Sequence, residues 1–328
     1  MSGIACASKL LNAGFAVTLF DKGRHLGGRL ASRDRDEYTF DYGAQYFTAR
    51  DARFKEFLEM LLKSGNASIW DGKFAKSING RLTEEFAEEP RYVGVPLMRS
   101  LAAAGLDPTI DCLISHRVTD VQRQNGEWRL TGVLNENKDT VEHSFTMDGY
   151  DLLVLSLPAA QAAALHPNPE LSSIRFRPCL ALLLAFSERI DISFDGIMTD
   201  DKMISWCARD SSKPGRENGE RWVIHASPDW SEENFNTSED EIKRHLIDRF
   251  ASSFGLIPQL PPVLFAKVHK WRYALPVSSP PNSFIVEQES AVAYCGDWCS
   301  GARVEAAFLS GISTADEIIR QGKHASIT

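Results

Sequence analysis

At 328 residues the chain has room for about two domains with a substantial buried core. Apolar residues at 43% and charged residues at 24% sit near globular averages, which excludes disordered and fibrous classes. Lys and Arg number 36 against 44 Asp and Glu, a formal charge of −8 with the basic residues scattered, so neither nucleic acid nor an anionic membrane surface is expected as a partner.

Residues 1–20 are apolar but interrupted by Lys9 and Asn12, with no basic segment ahead and no spanning-length apolar run. They are expected to fold rather than to serve as a signal or anchor. Residues 2–13 place Ile4, Ala7 and Leu11 on one helical face, with Gly14 as the stop. Residues 15–20 read as a strand ending at Asp21. Helix, strand and acid in that order are half of a βαβ unit, whose first strand is expected upstream of Met1 and absent from this chain. Residues 22–35 form a basic, glycine-bearing loop, residues 51–65 a helix, and residues 66–92 a mixed polar stretch without a clear period. A short helix over 97–104 leads to a β-meander with strands 117–122, 128–134 and 141–147 and a turn at Asn125-Gly126. The apolar run 151–157 suits a strand buried on both faces of a parallel sheet.

From about residue 170 the pattern changes. Residues 177–186, 203–208, 221–226 and 263–271 read as strands of a second, largely antiparallel sheet. Ser238 and Glu241 form a capping box ahead of the stripe Ile242, Leu246, Phe250 and Phe254. Residues 291–295 read as a strand, then Gly296-Asp297, then a helix carrying Val304, Ala307, Phe308, Gly311, Ile312, Ala315 and Ile319 on one face. The fold class is α/β: a doubly wound nucleotide-binding domain with a β-meander, plus a mainly antiparallel α+β substrate domain. The first is expected to comprise residues 1–75, 94–165 and 288–328, the second 76–93 and 166–287.

In a dinucleotide-binding βαβ unit, G-x-G-x-x-G lets backbone approach a pyrophosphate and an acid about 20 residues on takes the ribose hydroxyls. Gly3 fits the last glycine, and Asp21 follows it by 18 residues. The same residues also fit a terminal glycine and a turn acid. Just beyond, Gly27, Gly28 and Arg29 offer close backbone approach and a guanidinium fork for phosphate. The six cysteines form no C-x-x-C pair, no H-E-x-x-H or Ser-His-Asp order occurs, and no metal site is expected. Cysteine usage fits a reducing compartment, and the cytoplasm is the expected location.

The stretches FDKGRHLGGRLASR, FDYGAQYFTARD, YDLLVLSLPAAQAAAL, WCARDSSKPGR, WVIHASPDWS, HKWRYALP and YCGDWCSGARVEAAFLSG span nearly the whole chain. Together they resemble the FAD-dependent amine oxidase superfamily and, within it, the renalase-like oxidoreductases. The resemblance implies non-covalent FAD, with Asp21 and its neighbour Lys22 at the adenosine ribose. Gly3, Gly27, Gly28 and Arg29 would border the pyrophosphate, and Gly43, Ala44 and Gln45 the flavin ring. Val118 would meet adenine, Gly296 and Asp297 the ribitol or phosphate, and Val304 and Glu305 would open a helix whose dipole faces the flavin. Val118 also fits plain sheet core, and Glu305 a first-turn helix acid. A chain without the first strand is expected to bind FAD weakly.

The resemblance further implies hydride transfer from dihydronicotinamide isomers of NAD(P)H to flavin, with O2 as acceptor giving H2O2. An amine oxidase and a non-catalytic flavin or nucleotide binder are the alternatives. Trp206, His225, Trp271 and Tyr273 are the expected substrate walls, since a planar substrate needs aromatic faces. Single tryptophans and histidines are also common structural residues. Arg209 fits either a substrate anion or a surface ion pair.

Overall fold

The computed structural model describes residues 1–34, 37–86, 88–134, 143–256 and 258–325. Helix Ser2–Asn12 buries Ile4, Ala5, Cys6, Ala7 and Leu10. Part of that face meets Ala315 and Ile318 of the last helix, Val304–Ala325. Strand Thr18–Phe20 pairs in parallel with Asp111–Leu113, and Leu153–Leu155 with Val292–Tyr294, which also takes Ile285–Glu287 antiparallel.

Among the described residues no strand joins Thr18–Phe20 to Leu153–Leu155, and both line one cavity with Gly3 and Ile4. The strand expected over 15–20 shortens to the residues that find a parallel partner. The run expected to be buried on both faces does so at Leu153 and Leu155 but leaves Val154 half-buried.

The meander comprises His116–Gln124, Glu127–Leu134 and Ser144–Tyr150, all antiparallel. Asn125 and Gly126 turn at φ of 53° and 91°, the backbone sign that a two-residue hairpin requires. Val141 and Glu142 of the expected third strand lie outside the described residues.

The second sheet has seven strands in the order Val263–Pro276, Phe176–Phe186, Glu220–Ala226, Ile204–Arg209, Gly196–Thr199, Phe74–Ile78 and Arg81–Glu84. It is antiparallel except where Gly196–Thr199 meets Phe74–Ile78. The last three strands are absent from the sequence reading. Arg81–Glu84 is exposed throughout, so it carries no inside–outside alternation to betray it.

One face of this sheet places Leu180, Leu182, Leu184, Trp222 and Ile224 against Ile242, Leu246 and Phe250 of helix Glu239–Ser253. Each fully buried side chain of this kind stabilises by ~1.5–3 kcal/mol. Ser238 caps the helix by accepting from the Glu241 N–H. The opposite face presents Leu183, Ala185 and Val223 to Phe40 of the nucleotide-binding unit.

There the joint turns ionic. Asp41, Asp210, Lys213 and Arg216 have side chains 0% exposed. Lys213 Nζ lies 2.7 Å from Asp210 and 3.5 Å from Asp41, and Arg216 donates to Asp41. Burial alone would push the Asp41 carboxyl up, but Lys213 and Arg216 hold it below its ordinary value. Burial wins at Asp210, whose carboxyl is raised and whose Oδ2 has no partner. No helix among the described residues is long and apolar enough to cross a membrane.

Replacing Lys213 by Met leaves two buried carboxylates facing one guanidinium and should destabilise the fold by ~3–5 kcal/mol, read from the urea midpoint. An unchanged midpoint would show the ionic joint to be incidental.

Candidate cofactor and substrate site

A cavity of about 1990 Å³ runs from Asp21 to the inner face of the seven-stranded sheet. Part of this volume is the interval between the strands Thr18–Phe20 and Leu153–Leu155, and the rest passes Arg29 and Asp297 to reach Trp206 and Trp271. At one end the backbone of Asp21 is fixed by Leu113 and His116, at 3.0 and 2.9 Å. Its Oδ1 accepts from Gly23 N at 2.7 Å, while burial pushes the carboxyl up. Lys22 stands exposed on the rim.

Gly27 and Gly28, at φ of 115° and 55°, turn the chain into the short helix Gly28–Leu30 that delivers Arg29. The Arg29 guanidinium grips Asp297 with two bonds of 2.8 and 2.5 Å and donates to the Ala274 carbonyl at 3.0 Å. Arg29 keeps 30% of its side chain exposed toward the cavity, whereas Asp297 keeps 10%. Asp297 follows Gly296, also on the cavity wall.

Ala44 N donates to the Arg29 carbonyl at 2.9 Å, and a Cβ on Gly43 would overlap that carbonyl, so only glycine permits the approach. Gln45 Nε2 donates to the Asp41 and Gly43 carbonyls at 2.5 and 3.1 Å, while its Oε1 accepts from Lys213 at 3.1 Å. Gly3, Val118 and Val304 line the same cavity, and Val118 also packs against the meander core.

Glu305 is a correction. It does not line the cavity: its Oε1 accepts from the backbone N–H groups of Arg50 and Asp51 at 2.6 and 2.8 Å. It braces the last helix against the start of helix Ala52–Lys63. The remaining set, a ribose acid, a guanidinium and glycine-rich backbone, fits a dinucleotide.

At the other end, cross-strand register aligns His269, Ala181, His225 and Trp206 across four strands. Trp271 Nε1 donates to the Tyr42 carbonyl at 2.9 Å, and its ring stacks on Tyr42 at 5.4 Å and 21°. His269 lies 4.6 Å from the Tyr42 ring and 4.3 Å from Trp271. Tyr273 sits edge-on to Phe176 at 5.8 Å. Trp206, His225, Trp271 and Tyr273 therefore line one cavity.

Arg209 does not. At 1% exposure it binds Asp195 and Glu220 at 3.1 and 3.2 Å and donates to the Ile192 carbonyl at 2.7 Å. This buried network answers to neither a substrate anion nor a surface pair. Tyr42 and Lys213 were missing from the predicted set; His269 shares the strand face of Trp271.

Burial and then Lys213 lower the pKa of His225 to about 4; burial and then Lys267 do the same to His269. Both rings are neutral at ordinary pH. Burial pushes the Cys299 thiol up to about 12, and Cys299 lies off the cavity wall.

Residues 96–319, more than half of the chain, match the flavin containing amine oxidoreductase family, and residues 1–61 match an NAD(P)-binding Rossmann-like domain. The chain belongs to the flavin containing amine oxidoreductase family. It is accordingly an FAD-dependent oxidoreductase with a Rossmann-like nucleotide-binding unit and an amine-oxidase substrate unit. Similar solved structures share the fold at low identity. A provisionally assigned protoporphyrinogen oxidase from Exiguobacterium sp. 255-15 is 12% identical with a TM-score of 0.74, covering 98% of this chain and 97% of that one. Cyclohexylamine oxidase from Brevibacterium oxydans IH-35A gives 11% and 0.71 over 98% and 97%, and a putrescine oxidase bound to putrescine gives 11% and 0.70 over 97% of each.

Arg29→Ala should weaken FAD binding by roughly tenfold or more in a fluorescence titration, because the pair with Asp297 and the bond to Ala274 that shape this wall are lost together with the positive charge beside it. A second expectation concerns pH. The unfolded chain protonates its histidines near the ordinary value of 6.5, the folded chain protonates His225 and His269 only near 4. Stability is thus complete above about pH 6.5 and falls as pH drops toward 4, where the unfolded state binds more protons. Melting temperatures across that window should decline, and less steeply in His269→Asn.

Proposed function

We propose that this enzyme takes hydride from dihydronicotinamide isomers of NAD(P)H, in the manner of renalase-like oxidoreductases, and returns NAD(P)+. FAD, when bound, supplies the hydride acceptor and the centre that reduces O2 to H2O2. Asp21, the turn at Gly27 and Gly28, Arg29 with Asp297, and the Gly43–Gln45 segment would hold it non-covalently. In this reading residues 1–75, 94–165 and 288–328 form the cofactor unit, 76–93 and 166–287 close the substrate side, and the protein works in the cytoplasm.

The carrying observation is the lining of the substrate end. Among the described residues, the strands Phe176–Phe186, Ile204–Arg209, Glu220–Ala226 and Val263–Pro276 put one cation, Lys267, and no carboxylate on the cavity face, while Lys270 donates to the Phe235 and Thr237 carbonyls and Arg272 lies over the Phe235 ring on the other face. Such a wall repels an ammonium and attracts a phosphate-bearing substrate. Trp271 and Tyr42 add flat faces for a planar ring. Loss of hydride from a dihydropyridine yields an aromatic pyridinium directly, so the wall needs no base. Amine oxidation stays the second reading, favoured by the family match and by the aromatic walls.

Anaerobic mixing of FAD-loaded enzyme with the 2- and 6-dihydro isomers and with primary and secondary amines separates the two. Rapid bleaching of the flavin band by a dihydronicotinamide and not by amines is expected. Bleaching by an amine alone would overturn the proposal.

A further inference from the structure

Five of the indoles in this protein donate to a protein oxygen: Trp70 to Ser212, Trp128 to Ala291, Trp222 to Glu220, Trp271 to Tyr42 and Trp298 to Leu157, at 2.7 to 3.1 Å. Trp206 departs from that pattern. It is 9% exposed, lines the cavity, and its Nε1 has no partner. Directly opposite it on the neighbouring strand is His225, whose Nε2 is likewise buried without a partner. Opposed residues of an antiparallel pair share a face with Cβ atoms ~4.5–5.5 Å apart. Ser205, which precedes Trp206 on its strand, offers no relief, since its hydroxyl already donates to the His225 and Ala226 carbonyls at 3.2 Å. Two adjacent unmet polar atoms on a cavity wall are a standing penalty that a ligand can relieve.

Their chemistry is complementary. An indole N–H only donates. His225 also hydrogen-bonds the Tyr42 backbone, a contact that favours the protonated ring and so engages a carbonyl. Because Nε2 is unpartnered, that bond runs through Nδ1–H and leaves Nε2 of the neutral ring as a bare acceptor. Lys213, through its field on the ring, helps keep it neutral.

We propose that Trp206 and His225 form a carboxamide-binding subsite, the indole donating to the amide oxygen and the imidazole accepting from the amide NH2. The assignment rests on the dihydronicotinamide reading and names the group by which that substrate is oriented. A carboxylate would set a second acceptor against the His225 lone pair. A ketone would satisfy Trp206 alone, and an ammonium would leave the indole unmet.

The test is calorimetric binding of three oxidised dinucleotides to FAD-loaded protein at pH 7.5: NAD+, its 3-acetylpyridine analogue and its nicotinic acid analogue. Affinity should fall in that order, with about tenfold lost by replacing the amide with the acid. His225→Ala should weaken NAD+ by roughly tenfold and leave the acetyl analogue unchanged, whereas Trp206→Phe should weaken both. The ranking on unaltered protein tests the subsite independently of how either variant folds. Equal affinity for all three, or an amide preference that survives His225→Ala, overturns the subsite while leaving dinucleotide oxidation standing. Failure of any dinucleotide to bind overturns both.

Discussion

The site depends on where the Asp41 carboxylate sits. Its Oδ1 accepts from Ser32 Oγ at 2.6 Å and from Met98 N at 2.9 Å, and its Oδ2 faces Lys213 and Arg216. One acidic group thereby fastens the strand Phe40–Asp41, the helix start near Met98 and the segment 210–216 of the substrate side. The consequences run down the chain. Lys213, held by Asp210, reaches Gln45, and Gln45 in turn clasps the Asp41 and Gly43 carbonyls. The loop between them then has little freedom, so Tyr42 points its ring at Trp271 and His269 and its carbonyl at the Trp271 indole.

A buried ionic joint is a costly way to join two layers. Taking charges out of water carries a penalty of several kcal/mol per ion, which the mutual attraction returns only in good geometry, and apolar replacements of equal volume are often as stable. The substrate sheet shows the cheaper solution on its other face, where Leu and Ile side chains meet the helix Glu239–Ser253. The joint at Asp41 therefore contributes position more than stability. An apolar contact tolerates sliding; a carboxylate with four donors does not. The residues it fixes are those that touch the cavity, which is where position matters.

Long elements with one buried stripe were plain in the sequence. The helix at 239–253 shows its cap and its stripe, and the hairpin at Asn125-Gly126 shows its turn. The candidate cofactor residues Asp21, Gly27, Gly28 and Arg29 lie within nine residues, so a motif proposes them together and the structure places all four on one cavity wall. Short or fully exposed strands, such as Arg81–Glu84, carry no periodic signal because neither face is buried. Glu305 and Arg209 were misplaced for a shared reason. Each is a charged group next to a motif, but its partners, the Arg50 and Asp51 backbone in one case and Asp195 with Glu220 in the other, arrive from distant sequence. Spacing alone cannot tell a ligand-facing charge from one consumed by the fold. The same limit hid Lys213, which reads as a loop lysine until Asp41 and Gln45 are placed around it.

The electrostatics of the cavity follow from this arrangement and run against the protein as a whole. The chain carries a net charge of −8, yet the charged side chain that the substrate sheet turns to the cavity is Lys267, beside His269 and Trp271. Burial first, and then Lys213 at His225 and Lys267 at His269, keeps both rings neutral. A positive wall with neutral imidazoles is a particular combination. It attracts anionic groups over distance, since clefts with low-dielectric walls concentrate the field. At contact range the imidazoles still offer lone pairs rather than protons, so they can accept hydrogen bonds where an imidazolium would only donate. In the proposed reading attraction and recognition therefore fall to different groups, Lys267 drawing an anion toward the cavity and the neutral rings selecting what it presents there.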